Sequence, residues 1–160
     1  MTSTVHPDSR ESLEEALHAR GLRVTQQRLA VLRALAALPH ADTEEVHRAV
    51  AAELPGTALQ AVYVVLGALT DAGLLRRISP AGSPARYERR VGDNHHHVVC
   101  TRCGAVADVD CVHGAAPCLE PSDASGFTIT TAEVTFWGLC ASCSEAEAAG
   151  TDHPTKETDV

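Results

Sequence analysis

Aromatic side chains make up only 3% of the 160 residues, so a core must be built from Leu, Val and Ala, which an apolar content of 44% allows. No apolar run reaches the roughly eighteen residues of a membrane span, and no apolar leader opens the chain, so a cytoplasmic protein with reduced thiols is expected. Basic residues are scarce in the second part. Residues 95–160 hold 2 against 10 acidic ones, whereas residues 1–94 hold 11 of each, and all eleven basic ones there are Arg. The net charge of −8 therefore sits beyond residue 94, leaving a first part rich in the side chain suited to bidentate phosphate and guanine contacts. The length fits one domain or two small ones, and no internal repeat is present.

Metal-binding residue types are concentrated between Asn94 and Asp108, which holds three imidazoles, two thiols and a terminal carboxylate. Cys100 and Cys103 are spaced to grip one tetrahedral ion, and Cys140 and Cys143 repeat the spacing, so a four-cysteine zinc site is the simplest reading. A pair of disulfides would use the same residues, but paired knuckles of this spacing suit metal better. His95 and His97 are two apart on a Val-rich strand and share a face, with His96 on the other. A histidine run can also be solvated; this one abuts a strand and a knuckle, which favours a metal role.

Taken in order, Ser9–Arg20 reads as a helix with Leu13, Ala16 and Leu17 inward and Gly21 at its end. Thr25 caps a second helix whose stripe is Val31, Leu32, Leu35 and Leu38, stopped by Pro39. Asp42 and Glu45 form a capping-box pair for a third, with Val46, Val50 and Leu54 inside and Pro55-Gly56 as breaker. Thr57 and Gln60 repeat that pattern for a fourth, carrying Val62, Val65, Leu66 and Leu69 and closed by Gly73. Leu74–Ser79 and Ala85–Arg89 read as strands around the turn Pro80–Pro84.

Helix, turn, capped helix and Arg-bearing hairpin is the order of a winged helix. Thr57, Gln60 and Tyr63 are then the candidates to approach bases or phosphates, and Arg76, Arg77 and Arg86 the wing residues that hold the backbone. Three packed helices with a solvated Arg face are the plain alternative. Beyond the histidines, Ala105–Asp110 is a short strand and Gly114–Ser125 a loop or short helix. Phe127–Leu139 is a strand-like run in two segments meeting near Thr131-Ala132, and the chain from Ala148 onward is a polar tail.

From about Leu13 to Cys143 the chain resembles the ferric uptake regulator family of bacterial metal-dependent repressors. The motifs are Gly21-Leu22-Arg23-Val24-Thr25-x2-Arg28, Pro39-His40-Ala41, Ala61-Val62-Tyr63 and His95-x-His97-x2-Cys100-x2-Cys103. The resemblance implies an α+β fold: a winged helix-turn-helix domain at residues 1–90, with 1–8 disordered, a small α/β dimerisation and metal-sensing domain at 91–147, and a disordered tail at 148–160. It implies a homodimer on a double-stranded DNA operator, with Arg23 among the DNA-facing residues. It also implies a regulatory metal, Fe(II) or Mn(II), held by His40, Glu88, His95, His97 and Asp108, beside the structural zinc.

Several positions depart from the family pattern. Where members usually read Thr-Val-Tyr-Arg, this chain has Ala61-Val62-Tyr63-Val64, without the phosphate-binding arginine. A third metal site would use His96, but its other ligand positions fall on Ala115 and Ala132. Cys111 and Cys118 lie outside both knuckles and read as small buried residues, with a redox role as the other reading. The histidine run, the segment from Cys111 to Cys118, and Asp108 in place of Glu resemble the branch that senses peroxide and represses catalase-peroxidase genes; plain iron sensing is the alternative. A zinc hydrolase built on His95 and His97 would need a substrate cleft, for which no sequence feature appears, and a non-DNA metal buffer predicts no operator binding.

Overall fold

Side-chain caps and glycine stops cut the first ninety residues into short helices. The structure, a computed structural model, describes residues 8–92, 95–110, 125–128 and 134–150. Its elements are α1 (Arg10–Ala19), α2 (Gln26–Ala37), β1 (Ala41–Asp42), α3 (Thr43–Glu53), α4 (Leu59–Asp71), β2 (Arg76–Ile78), β3 (Arg86–Glu88), β4 (His95–Cys100), β5 (Val106–Asp110), β6 (Thr135–Gly138) and α5 (Ala141–Ala148). The chain divides into two compact units, Met1–Gly92 and Asp93–Val160.

In the first unit Ser9 and Thr25 cap α1 and α2 by accepting from the N–H groups of Ser12 and Arg28. Asp42 and Glu45 form a complete capping box on α3, each side chain accepting from the other's backbone N–H at 2.9 Å. Gly21 and Gly73 end α1 and α4 at φ +69 and +68, the left-handed geometry that lets Leu22 and Leu74 donate back to Leu17 and Leu69. Leu13 and Leu17, Leu29 to Leu32, Leu35, Val46, Val50, Val62, Leu66 and Leu69 pack into one continuous core. Each fully buried Leu or Val among them contributes about 1.5–3 kcal/mol.

Three expectations need correcting. Leu38 is the C-cap of α2 and 44% exposed, because the helix stops before the stripe comes round again. Thr57 and Gln60 form no capping box: Thr57 turns back, donating from Oγ1 to the Leu54 carbonyl at 2.8 Å, and α4 begins two residues later from Ala58 with no side-chain cap. The wing is three-stranded, in the order β1-β3-β2, because Ala41 and Asp42 pair antiparallel with Tyr87 and Arg86. That extra strand makes β3 central and buries all three of its residues.

In the second unit β4 lies between β5, antiparallel, and β6, parallel. β4 alternates as expected, with His95 and His97 buried and His96 half-buried on the other face. Phe127 and Thr128 are exposed outside any strand, and only Thr135–Gly138 of the run ending at Leu139 is a strand; residues 129–133 lie outside the described set. Helix α5, unanticipated, occupies the second knuckle and reaches Ala148. Cys111, Ala115, Cys118, Ala132 and nearly all of both expected disordered ends also lie outside the described residues.

Candidate metal centres and DNA-facing residues

Four thiols converge in the second unit. Cys100 ends β4, and Cys103 follows in a turn where the Gly104 N–H donates to the Cys100 carbonyl at 2.9 Å. Cys140 is the N-cap of α5 and Cys143 lies in its first turn. The parallel register sets the knuckles side by side: Cys100 is paired with Gly138, and the Thr101 N–H donates to the Gly138 carbonyl at 2.8 Å. The four sulfurs lie within 4.8 Å of one another, with Cys103 and Cys140 3.7 Å apart. A tetrahedral zinc ion with bonds of about 2.3 Å holds its sulfurs about 3.8 Å apart, whereas a disulfide needs about 2.05 Å. The cluster fits structural zinc, and all four cysteines are free thiols.

The protein tunes these thiols unequally. Burial pushes Cys100 up, but backbone groups of Cys103, Cys140 and Arg102, with the Cys103 thiol, outweigh it and bring Cys100 down to about 6. Burial and the three neighbouring thiols drive Cys143 up to about 12. The backbone at Ala105 pulls Cys103 down, yet burial together with Cys100 and Cys140 leaves it raised. One thiolate is thus ready at neutral pH, while two thiols hold their protons until a cation displaces them.

Nitrogen and oxygen donors form a second kind of group, one in each unit. In the first, His40 directly precedes β1 at φ +62, a left-handed conformation uncommon for a residue with a Cβ. Its Nε2 lies 3.0 Å from Glu88 Oε2, and both side chains are almost wholly buried. Arg86 donates from Nη1 to the His40 carbonyl at 3.0 Å, and Arg76 Nε lies 3.8 Å from Glu88.

In the second unit His97 is paired across the ladder with Asp108, and Asp108 Oδ1 lies 3.8 Å from His95 Nε2 and 3.6 Å from His97 Nε2. These separations are too long for hydrogen bonds and suit donors flanking one cation at roughly 2.1 Å. His96, on the opposite face, sets its ring edge-on to Phe136 at 6.1 Å between centroids.

Of the five residues expected to hold the regulatory metal, the structure therefore joins His40 with Glu88, and His95 and His97 with Asp108. Among those expected to face DNA, Arg23, Gln60, Tyr63 and Arg77 are exposed, and Thr57 and Arg76 are half-buried. Arg86 is the exception. It is 8% exposed on the central wing strand, committed to the His40 carbonyl and 3.7 Å from Glu45, so it braces the fold rather than a phosphate. His47, unremarked in the sequence, hydrogen-bonds the Thr57 carbonyl through Nε2 at 2.8 Å and ties α3 to the turn before α4. No periodic or motif signal marks it.

The family model described as the ferric uptake regulator family matches residues 19–137. The transcriptional regulator FurA of Mycobacterium tuberculosis is 56% identical over 148 residues, covering 92% of this chain and 97% of its own. The peroxide operon regulator of Bacillus subtilis is a more distant likeness, 26% identical over 139 residues, covering 83% of this chain and 92% of its own. The crystal structure of the Vibrio cholerae ferric uptake regulator superposes with a TM-score of 0.60 at 26% identity, covering 79% of this chain and 98% of that one.

Proposed function

The chain belongs to the ferric uptake regulator family and is a metal-responsive transcriptional regulator, not an enzyme; from that premise we propose that it is a homodimeric repressor that holds a double-stranded DNA operator when metal-loaded and releases it on exposure to peroxide. Donor chemistry carries the reading. His40 with Glu88, and His95 and His97 with Asp108, offer imidazole nitrogens and carboxylate oxygens and no thiolate, a set that suits Fe(II) or Mn(II).

A single ion taking ligands from both groups would fix the angle of the reading head, so that two heads in a dimer meet two half-sites on one face of a duplex. Metal affinity then becomes operator affinity by linkage. Cys100, Cys103, Cys140 and Cys143 hold the structural zinc apart from this switch. A second copy would cover Phe136, Trp137 and Leu139, which are 43%, 49% and 43% exposed on or beside β6. In the described residues no helix is long and apolar enough to cross a membrane, and a cytoplasmic setting suits the free thiols.

Iron(II), when bound, would supply one-electron reduction of peroxide to an oxidant that attacks the nearest ligands; on this reading His40 or His95 is the imidazole oxidised, and an oxidised imidazole is a poorer donor. A second reading, regulation by iron availability alone, is favoured by 60% identity over 121 residues to the ferric uptake regulation protein 1 of Mycolicibacterium fortuitum, against 26% to the peroxide operon regulator. Operator binding by fluorescence anisotropy separates the two, using the duplex upstream of the protein's own gene and zinc-only, Mn(II) and anaerobic Fe(II) protein. Peroxide sensing requires that only the Fe(II) form lose binding to sub-stoichiometric peroxide, without rescue by fresh metal. If Fe(II) and Mn(II) forms both keep their grip, the availability of iron or manganese is the signal.

A further inference from the structure

The outward face of α4 is uncharged. Leu59, Gln60, Tyr63, Val64 and Gly67 are exposed, opposite the buried Val62, Leu66 and Leu69, and the only charged residue of the helix is Asp71 at its far end. Leu59 is 37%, Tyr63 48% and Val64 64% exposed. The other helices of this unit solvate their outer faces with charge, as the Arg10–Glu14 pair on α1 and the exposed Glu44 and Arg48 on α3 show. An apolar strip kept in water on one helix alone points to a partner surface with apolar groups of its own.

A major groove supplies such groups wherever a thymine stands, since the thymine C5-methyl projects into it beside the hydrogen-bonding edges of the bases. A protein or membrane partner would favour a broader apolar patch. Here two polar tips, the Gln60 amide and the Tyr63 hydroxyl, stand beside the strip, as base edges require. Phosphate attraction must come from off the helix, and Arg23 and Arg77 are exposed elsewhere in the same unit.

Building on the DNA-binding reading above, we propose that Val64 is a specificity-determining residue that packs its methyls against the C5-methyl of a thymine in the operator half-site. Gln60, one turn back on the same face, sets its amide beside that contact toward the start of the helix. Position 64 then discriminates by shape and apolar contact, where a basic residue would add phosphate affinity without reading a base.

The test is a double-mutant cycle between protein and DNA, with wild-type and Val64→Ala protein, Mn(II)-loaded, on the operator duplex and on duplexes in which each thymine in turn is replaced by uracil. Uracil removes only the methyl. One methyl contact corresponds to about a fourfold change in affinity. We expect wild type to lose about fourfold at one thymine per half-site, and Val64→Ala to bind the thymine duplex equally weakly with no further loss on uracil. Val64→Arg should bind both duplexes alike with a steeper salt dependence. Independent, multiplying effects of the two changes, or no uracil effect at any position, would overturn the assignment while leaving DNA binding intact. Failure of wild-type protein to bind the duplex with any metal would overturn both. Val64 is exposed, so neither substitution should unfold the protein.

Discussion

Removal of zinc should dissolve the second unit and spare the first. Among the described residues of Asp93–Val160, the buried apolar side chains are Val99, Cys100 and Cys143, and two of these are zinc ligands in the proposed site. Burying Val99 contributes about 1.5–3 kcal/mol, against about 10–16 kcal/mol for a structural zinc ion at neutral pH. The first unit has its own continuous core of Leu and Val on four helices and owes the cysteines nothing. Hydrogen exchange followed by mass spectrometry, before and after chelation that brings zinc content to zero, should therefore show protection collapsing across β4, β5, β6 and α5. Protection in α2, α3 and α4 should persist. Cys143→Ser should do the same without chelator. If β4 and β5 keep their protection with no zinc bound, the cluster is not what holds this unit together and the energetic comparison is wrong.

Zinc binding should also release protons. Cys143, raised to about 12, and Cys103, also raised, are thiols at pH 7, whereas Cys100, at about 6, is already ionised. At least these two protons per ion must leave, so affinity should fall about a hundredfold or more for each unit of pH lost between 8 and 7, as calorimetry in buffers of different ionisation heat can measure. Release of none would show that these sulfurs are not ligands. Arg86→Ala should lower stability by about 1–3 kcal/mol, read as a fall in Tm, and leave the salt dependence of operator binding unchanged, because it strips a buried donor from the His40 carbonyl. Arg77→Ala should do the reverse, with the salt slope reduced by about one and Tm unmoved. Leu66→Ala, at the fully buried centre of α4, should cost about 2–5 kcal/mol in denaturant unfolding.

The legible parts of the fold were those written in local chemistry. Caps at Thr25 and Asp42, glycine stops at Gly21 and Gly73 and the alternation of His95 and His97 each depend on neighbours a few residues away, and each appears as read. Long-range pairing was not legible. Two residues, Ala41 and Asp42, are too few to show a strand period, so the third wing strand went unseen, and with it the burial of Arg86. Thr57 fits a cap by spacing alone, but its hydroxyl had a nearer acceptor in the Leu54 carbonyl. The cysteine spacing announced the metal cluster because chelation constrains sequence directly; α5 carries almost no apolar periodicity, and only its place after Cys140 gives it structure.

The small wing ladder leaves little slack between ligand and helix. Glu88 ends the strand whose Arg86 is paired with Asp42, and Asp42 is the residue that caps α3, while His40 enters the same ladder one residue before Ala41. No loop intervenes to absorb a displacement. A displacement of the Glu88 carboxylate or the His40 ring would therefore meet the first turn of α3 through this ladder and its Asp42 cap, and His47 on the same helix holds the turn before α4. The wing is in this sense a stiff coupling rod, and its shortness makes it stiff.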